Sequence, residues 1–380
     1  MSVIFFIVAE IAANKDINRL EASLFYFPIT ICVSFACNWL FQKGKLRWIY
    51  YLSILTIIPV LAIDMQPYVW KVGYGFGLLL SAFLLLVCKG AKGNIDFAAN
   101  FVTTIIDLLV TALVGLVAGA AIGSIWGTIS YIFDVTKEFY KYIWQIEIFL
   151  IVPLTFLFLQ MGHTKGWEMR VPQFIRIVIN YIICPAIIIY TVILYIYGIK
   201  ILIAWELPLG GLAAMIMAFY IVAIMGRMMQ TITPMKYYDW YFKFFSYISI
   251  PLLALFWVGI LYRIQEYSFT QSRVYLVAAG ALMTVCSGML LSKKFGNYRL
   301  ITFLASGIII VLTYIPGISA KSMGLKSQQE RLEKYITELN MRDQKSGKLI
   351  QIRDFKKYSK AWIDKYKEML SSYYYVKDET

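Results

Sequence analysis

Residues 97–133 read FAANFVTTIIDLLVTALVGLVAGAAIGSIWGTISYIF and contain one charged side chain, Asp107. A run of about 20 apolar residues is long enough to cross a bilayer as a helix. This stretch is also too long and too uniformly apolar for a strand of a membrane barrel. A helix bonds its own peptide groups where no water is present, so the stretch predicts a transmembrane helix.

The length of this stretch leaves two interpretations open. At about 1.5 Å per residue it is too long for one straight crossing. It is either two spans, or one span at 97–120 followed by a continuation along the membrane interface. Its glycines at four-residue spacing indicate close helix packing. We favour the single span, because two spans would break the charge alternation described below.

The rest of the chain repeats this apolar pattern. It is 60% hydrophobic and 15% charged, whereas soluble domains carry roughly 25% charged residues. Candidate spans lie at 24–41, 46–63, 70–88, 97–120, 143–160, 174–198, 208–226, 242–262, 274–292 and 298–315. The sequence therefore predicts an all-α fold, a polytopic bundle of about ten spans over 24–316. Before it, residues 1–23 contain Glu10 and lack a basic start, which favours an interfacial segment over a signal peptide.

The loop charges predict which side each loop faces. With ten spans, the odd-numbered loops hold fourteen Lys and Arg residues and the even-numbered loops hold six. Basic loops stay in the cytoplasm, so both termini are predicted to be periplasmic in a bacterial inner (plasma) membrane. This distribution also accounts for the net charge of +14 without nucleic acid. The main alternative is a cytoplasmic C-terminal tail, because the tail is itself basic.

The composition changes abruptly after IPGISA, and residues 317–380 read as a small, basic, soluble tail. Two apolar stripes at helical spacing predict two helices. Between them, KSGKLIQI at 345–352 indicates a turn and leaves a short strand, hence an α+β tail, as an alternative. Two such helices bury little area alone, so we expect the tail to pack on the membrane domain, the lipid surface or a partner.

The sequence shows no pattern typical of a metal, cofactor or catalytic site. All five cysteines fall inside apolar blocks, and His163 is the single histidine. No nucleophile and base can be paired, so an intramembrane transferase or hydrolase is the weakest hypothesis. Asp107 and Glu147 form a candidate intramembrane polar site, since a buried charge costs at least about 2.5 kcal/mol there. Asp107 indicates either an ion- or proton-linked site or an interhelical pair, whereas Glu147 favours a structural role.

The most distinctive loop is LYRIQEYSFTQSRVY at 261–275. Arginine and tyrosine at a membrane edge are ordinary anchors, yet the arginine fork also matches the oxygens of an anionic headgroup. The candidate ligand or headgroup site consists of Arg263, Glu266, Tyr267, Arg273 and Tyr275.

Here the chain resembles a family of uncharacterised bacterial membrane proteins, the domain of unknown function 4153. The family shows a proline-containing span and a turn of the form YR-x-x-x-Y-x-x-T-x-x-R-x-Y, matched by ISIPLLALFWVGILYR and YRIQEYSFTQSRVY. Ser268 stands where the family usually has glycine. The resemblance covers about 240–350, and its signature positions are Tyr262, Arg263, Tyr267, Thr270, Arg273, Tyr275, Ser327, Gln328, Arg331, Leu332 and Gly347. It implies a multi-span fold and no established activity.

Two functional hypotheses follow. The first is a non-enzymatic inner-membrane protein whose turn and tail form one outer-face site for a lipid, an envelope molecule or a protein partner. The second is an ion- or proton-coupled secondary transporter using Asp107, with prolines in or near spans marking broken helices. Membrane lipids are the expected partners in either case, and the sequence leaves the oligomeric state open.

Overall fold

The structure is a computed structural model that describes residues 4–5, 7–8, 11, 24, 26–41, 45–62, 72–133, 144–164, 176–204, 211–233, 236–292, 296–342, 350 and 358–379. Within this part of the chain every regular element is helical, which confirms the all-α class. The alternative of a strand in the tail is not supported by the described residues. Most of KSGKLIQI lies outside them, as does Gly347.

The α-helices follow one another along the chain, with short 3-10 and π-helical segments between some of them. They are α1 (Phe27–Leu40), α2 (Trp48–Leu52), α3 (Ile57–Ala62), α4 (Val72–Cys88), α5 (Asn94–Phe133), α6 (Val152–Thr164), α7 (Cys184–Ala204), α8 (Leu212–Gln230), α9 (Asp239–Tyr267), α10 (Gln271–Leu291), α11 (Tyr298–Tyr314), α12 (Ala320–Glu338) and α13 (Lys360–Glu379). A π-helical segment at Glu147–Ile151 precedes α6, and another at Val178–Ile183 precedes α7.

Within the described residues, six helical stretches are long and apolar enough to cross a membrane, so the chain is a multi-pass membrane protein. They are Asn94–Ser130, Trp144–Gly162, Val178–Ala204, Leu212–Gln230, Asp239–Tyr267 and Gln271–Leu291. The prediction of ten spans is therefore supported for six. At four other predicted positions the structure has shorter apolar helices: Phe27–Leu40, Trp48–Ala62, Val72–Cys88 and Tyr298–Tyr314. Each of these four helices is shorter than the run of about 20 residues that usually crosses a bilayer.

Residues 97–133 lie within one uninterrupted helix, α5, of 40 residues. Two antiparallel spans would require a turn within 97–133, and the structure has none there. The continuous helix favours one span over two, and the continuation along the membrane interface stays a prediction.

The chain divides into two compact units. The first comprises Met1–Pro185, Met225–Trp240 and Asn297–Ser306, and the second comprises Ala186–Ile224, Tyr241–Gly296 and Gly307–Thr380. The division along the sequence into 1–23, 24–316 and 317–380 stays a prediction.

Polar side chains link helices inside each unit, as is common where helices pack without a hydrophobic driving force between them. In the first unit, Gln230 Nε2 on α8 donates to Asn180 Oδ1 at 2.7 Å. In the second, the hydroxyls of Thr191 and Tyr241 lie 2.7 Å apart and join α7 to α9. Many apolar side chains stay on the surface, such as Ile203, which is 81% exposed. Lipid would cover such a surface in a membrane protein.

Candidate functional site

The turn between α9 and α10 begins at Ser268, whose φ is +56°. Its amide donates to the Ile264 carbonyl at 2.8 Å and closes the end of α9. A left-handed residue at this position of a helix end is usually glycine, because a Cβ costs about 1–2 kcal/mol there. This explains why the family pattern has glycine where this chain has serine.

The tail helix α12 lies directly against this turn at Gly324. A Cβ on Gly324 would stand 2.7 Å from the Gln271 amide nitrogen and 2.9 Å from the Tyr375 hydroxyl. Real Cβ atoms do not approach so closely, so glycine is needed for this contact. We call residues 263–275 together with α12 and α13 the turn–tail module.

Side chains of the tail satisfy the backbone of the turn. Gln328 Nε2 donates to the carbonyls of Tyr267 and Phe269, both at 2.9 Å. The Phe269 amide donates to Ser327 Oγ at 3.1 Å. On α13, the Tyr375 hydroxyl accepts from the Gln271 amide at 2.9 Å. Turn and tail are thus joined by the hydrogen bonds that exposed peptide groups would otherwise make to water.

Arg331 is the centre of the module, and its side chain is only 7% exposed. It donates to the carbonyls of Glu266 at 3.2 Å and Tyr267 at 3.3 Å. Its Nη2 also forms an ion pair with the Glu368 carboxylate at 2.9 Å. The Tyr335 hydroxyl donates to the same carboxylate. Burial, reinforced by this bond, raises the pKa of Tyr335, which keeps the phenol protonated as a donor.

Three guanidinium groups surround the ring of Tyr267. The carbon atoms of Arg263, Arg273 and Arg331 lie 5.8, 5.4 and 5.8 Å from the ring centre. Arg273 also donates from Nη1 to the carbonyls of Tyr267 at 3.1 Å and Ser268 at 2.7 Å. Attraction between a cation and an aromatic face stabilises each pair, but the arrangement gathers like charges in one place.

The structure brings most of the predicted site residues together. Arg263, Tyr267 and Arg273 converge with the tail residues Ser327, Gln328 and Arg331. The exposed Glu266 contributes its backbone carbonyl to Arg331.

Tyr275, the other predicted site residue, points elsewhere. Its hydroxyl lies 3.0 Å from Thr313 Oγ1, at the end of α11. Tyr275 therefore joins α10 to α11 and is not one of the residues gathered around Tyr267.

The predicted intramembrane acids both lie in the first unit. Asp107 is 3% exposed, and its Oδ2 accepts from Gln160 Nε2 on α6 at 2.9 Å. This is the interhelical contact that the sequence left as one of two alternatives. The Glu147 carboxylate lies against Gly115 and Gly119 of α5, where a Cβ on Gly119 would meet it.

Sequence reasoning missed Gly324, Glu368, Ser372 and Tyr375. Ser372 is fully buried and donates to Gln328 Oε1 at 2.9 Å, which orients the amide of Gln328 toward the turn. The single available signal was Gly324, because a glycine inside a soluble helix costs stability unless close packing requires it. Among the described residues, no group of His, Cys, Asp and Glu could hold a metal ion.

Residues 1–338 match the family described as "Domain of unknown function (DUF4153)". The chain belongs to this family. The match extends well before the 240–350 region that carries the motif resemblance and ends before Gly347. The match thus includes the first unit and the second unit as far as α12, whereas α13, which completes the turn–tail module, lies beyond the matched residues.

A curated relative of this DUF4153 chain is named "Uncharacterized protein PM1469" and comes from Pasteurella multocida (strain Pm70). The two are 29% identical over 303 residues, covering 77% of this chain and 52% of the relative. The chain thus spans about half the length of that relative. No solved structure matches this DUF4153 chain.

Proposed function

We propose that this DUF4153 protein is a non-enzymatic component of the bacterial inner membrane that binds an anionic envelope molecule through the turn–tail module. The molecule would be a lipid headgroup or another phosphate-bearing compound. The observation that carries the proposal is the gathering of Arg263, Arg273 and Arg331 around Tyr267.

Charge is the physical argument for an anionic ligand. Two carboxylates lie beside the three arginines: Glu368 pairs with Arg331, and the exposed Glu266 accepts a hydrogen bond from the Tyr267 hydroxyl. The cations therefore exceed the acids beside them, and the tail after Pro316 adds fourteen basic residues against nine acidic ones. An anion placed beside the arginines would relieve their mutual repulsion, and arginine suits phosphate because its donors form a planar fork.

The proposed topology keeps ten crossings, counting the four shorter apolar helices as spans. The odd-numbered loops then face the cytoplasm, and both termini and the turn–tail module face the periplasm. The excess of basic residues in the odd-numbered loops supports this arrangement. Impermeant thiol reagents should label an Ile350→Cys variant from outside intact cells. Labelling confined to inverted vesicles would contradict the arrangement.

Binding is tested with purified protein and short-chain lipids. Dihexanoyl phosphatidylglycerol and dihexanoyl phosphatidylcholine, which differ in headgroup charge, are titrated into the protein by calorimetry. We expect tighter binding of phosphatidylglycerol, weakened about tenfold by Arg263→Gln, because a hydrogen bond to a charged group contributes about 1.5–3 kcal/mol.

The matched control is Arg342→Gln, since Arg342 is an exposed arginine of the tail paired with Glu333. It removes the same charge from the protein and leaves the arginines around Tyr267 in place. Equal affinity for the two lipids, or equal effects of the two substitutions, would contradict the proposal. A protein partner captured with the same Arg263 dependence would identify another class of ligand for the module.

A further inference from the structure

Three basic side chains of the first unit lie at or beside helix ends. Lys89 follows α4, Arg227 lies in the last turn of α8, and Arg299 lies in the first turn of α11. Asn94, at the start of α5, accepts from the Tyr298 amide at 3.0 Å. We call Lys89, Arg227 and Arg299 the helix-end cluster.

Contacts of neighbouring groups connect the residues of this cluster. Arg299 Nη1 donates to the Ala91 carbonyl at 2.8 Å, which joins α11 to the loop after Lys89. Arg227 is close enough to the Tyr298 hydroxyl to act on it electrostatically. Two arginines and a lysine that are far apart in sequence therefore share one end of the unit.

The charges of this cluster are unequally compensated. Lys89 is buried, and its Nζ donates to Thr104 Oγ1 at 3.4 Å. The negative charge of Asp107 is near enough to offset the positive charge of Lys89. Arg227 and Arg299 have no ion pair among the described residues. The Nη1 of Arg227 and the Nε of Arg299 are buried, and neither has a hydrogen-bond partner there. Removing such groups from water without a partner is costly.

Helix dipoles account for one of the two arginines. A cation in the last turn of a helix is favourable, and Arg227 occupies that position in α8. Arg299 occupies the first turn of α11, where the dipole favours an anion instead. Both side chains are partly exposed, so a ligand can reach them from solvent or lipid.

We infer that the helix-end cluster binds a phosphate-bearing anion through Arg227 and Arg299. Basic pockets between membrane helices suit phospholipid headgroups, and all three residues belong to loops predicted to face the cytoplasm. The same phosphate chemistry could come from a lipid headgroup or from a free phosphate. This site involves other residues than the turn–tail module, so it goes beyond the proposed function.

The experiment uses the full-length protein in detergent, with bound lipid counted by native mass spectrometry. Dioleoyl phosphatidylglycerol and dioleoyl phosphatidylcholine are added in separate arms, and inorganic phosphate is titrated by calorimetry in a third. We expect Arg227→Gln to weaken retention of phosphatidylglycerol about tenfold, because charge-assisted hydrogen bonds are lost. Arg227→Lys, which keeps the charge, should retain most of the binding.

Lys92→Gln is the matched control, because Lys92 is an exposed residue of the loop that follows α4. It removes one positive charge near the cluster, and we expect no effect on retention. Arg263→Gln should remove only the lipid bound at the turn–tail module, so the losses caused by Arg227→Gln and Arg263→Gln should add in the double variant, which separates the two sites. Arg227-dependent binding of inorganic phosphate would support the site and identify a free anion as its occupant.

Either of two results would overturn the inference. One is retention of phosphatidylglycerol that is unchanged by both Arg227→Gln and Arg299→Gln. The other is an equal loss with Lys92→Gln. An unfolding temperature that stays the same in the lipid-free Arg227→Gln variant would show that a loss of lipid does not reflect misfolding.

Discussion

The turn–tail module and the helix-end cluster place arginine in opposite situations. Arg331 contacts a carboxylate and two carbonyls of its own chain. Arg227 and Arg299 each keep a buried nitrogen without a partner among the described residues. The difference separates two roles that the sequence presents alike. The internal partners of Arg331 hold the tail against the turn, whereas the unsatisfied nitrogens of Arg227 and Arg299 indicate a ligand that the described residues do not supply.

The largest effect is expected from Arg331→Leu. The substitution leaves the Glu368 carboxylate and the carbonyls of Glu266 and Tyr267 without their cation, so docking of α12 should weaken by about 3 kcal/mol. Faster hydrogen exchange of the amides in α12 and α13 would measure this. Arg342→Leu removes an exposed ion pair with Glu333. It should change the free energy of opening, measured by hydrogen exchange, by less than about 1 kcal/mol. Equal effects of the two variants would show that Arg331 does not hold the tail.

Gly324→Ala tests the close contact of the module through its shape. The new Cβ would stand 2.7 Å from the Gln271 nitrogen, so the helix must move, at a cost of about 1–3 kcal/mol. Hydrogen exchange of the tail again provides the measurement. Gly307→Ala is the control, because no atom lies within 4 Å of its Cβ position. An unchanged tail in Gly324→Ala would mean that α12 does not depend on this contact.

Arg227→Gln should have little effect on the lipid-free protein. No partner among the described residues is lost, so the free energy of unfolding should change by less than about 0.5 kcal/mol. With phosphatidylglycerol at ten times its dissociation constant, the wild type should gain about 1.4 kcal/mol and the variant much less. Thermal unfolding with and without lipid measures both values. A large loss in the lipid-free variant would place Arg227 in the same structural class as Arg331.

The smallest effect is expected at the exposed pair of Glu338 and Lys365, whose side chains lie 2.9 Å apart. The hydrogen bond from Lys365 lowers the pKa of Glu338 below its usual 4.5. The contribution of this pair to stability is therefore present above pH 4.5, and it is lost as pH falls through the lowered pKa of Glu338. Glu338→Gln should lower the unfolding temperature slightly at neutral pH, and the two proteins should converge in acid. A difference that persists at low pH would contradict an electrostatic origin.

Much of the fold could be predicted because apolar run length and helix formation are linked in a membrane. The charge alternation on either side of α5 favoured one span over two, and α5 is one continuous helix. The number of spans was harder to predict, because an apolar run does not show at which residue a helix ends. Val72–Cys88, for example, is a 17-residue helix where the sequence predicted a span at 70–88.

The turn residues and the α12 residues of the candidate site could be predicted, but their partners on α13 could not. The resemblance singled out Ser327, Gln328 and Arg331, but their partners come from distant parts of the chain. Glu368 follows Arg331 by 37 residues, and Tyr375 follows Gln271 by 104. The helical spacing of α13 does not reveal which neighbour its polar side chains meet. Arg227 and Arg299 were likewise counted as loop charges, because a sequence does not show which helix ends come together.

The length of α5 has a consequence for the surrounding bilayer. Its 40 residues extend about 60 Å, twice the hydrocarbon thickness of about 30 Å. To remain within the hydrocarbon from end to end, the helix would have to incline by roughly 60°, three times the average of about 20°. Either it lies that obliquely and thins or displaces the lipid beside it, or one half emerges as an apolar overhang. In the second case, the glycine-rich half from Gly115 onward needs a protein covering outside the lipid.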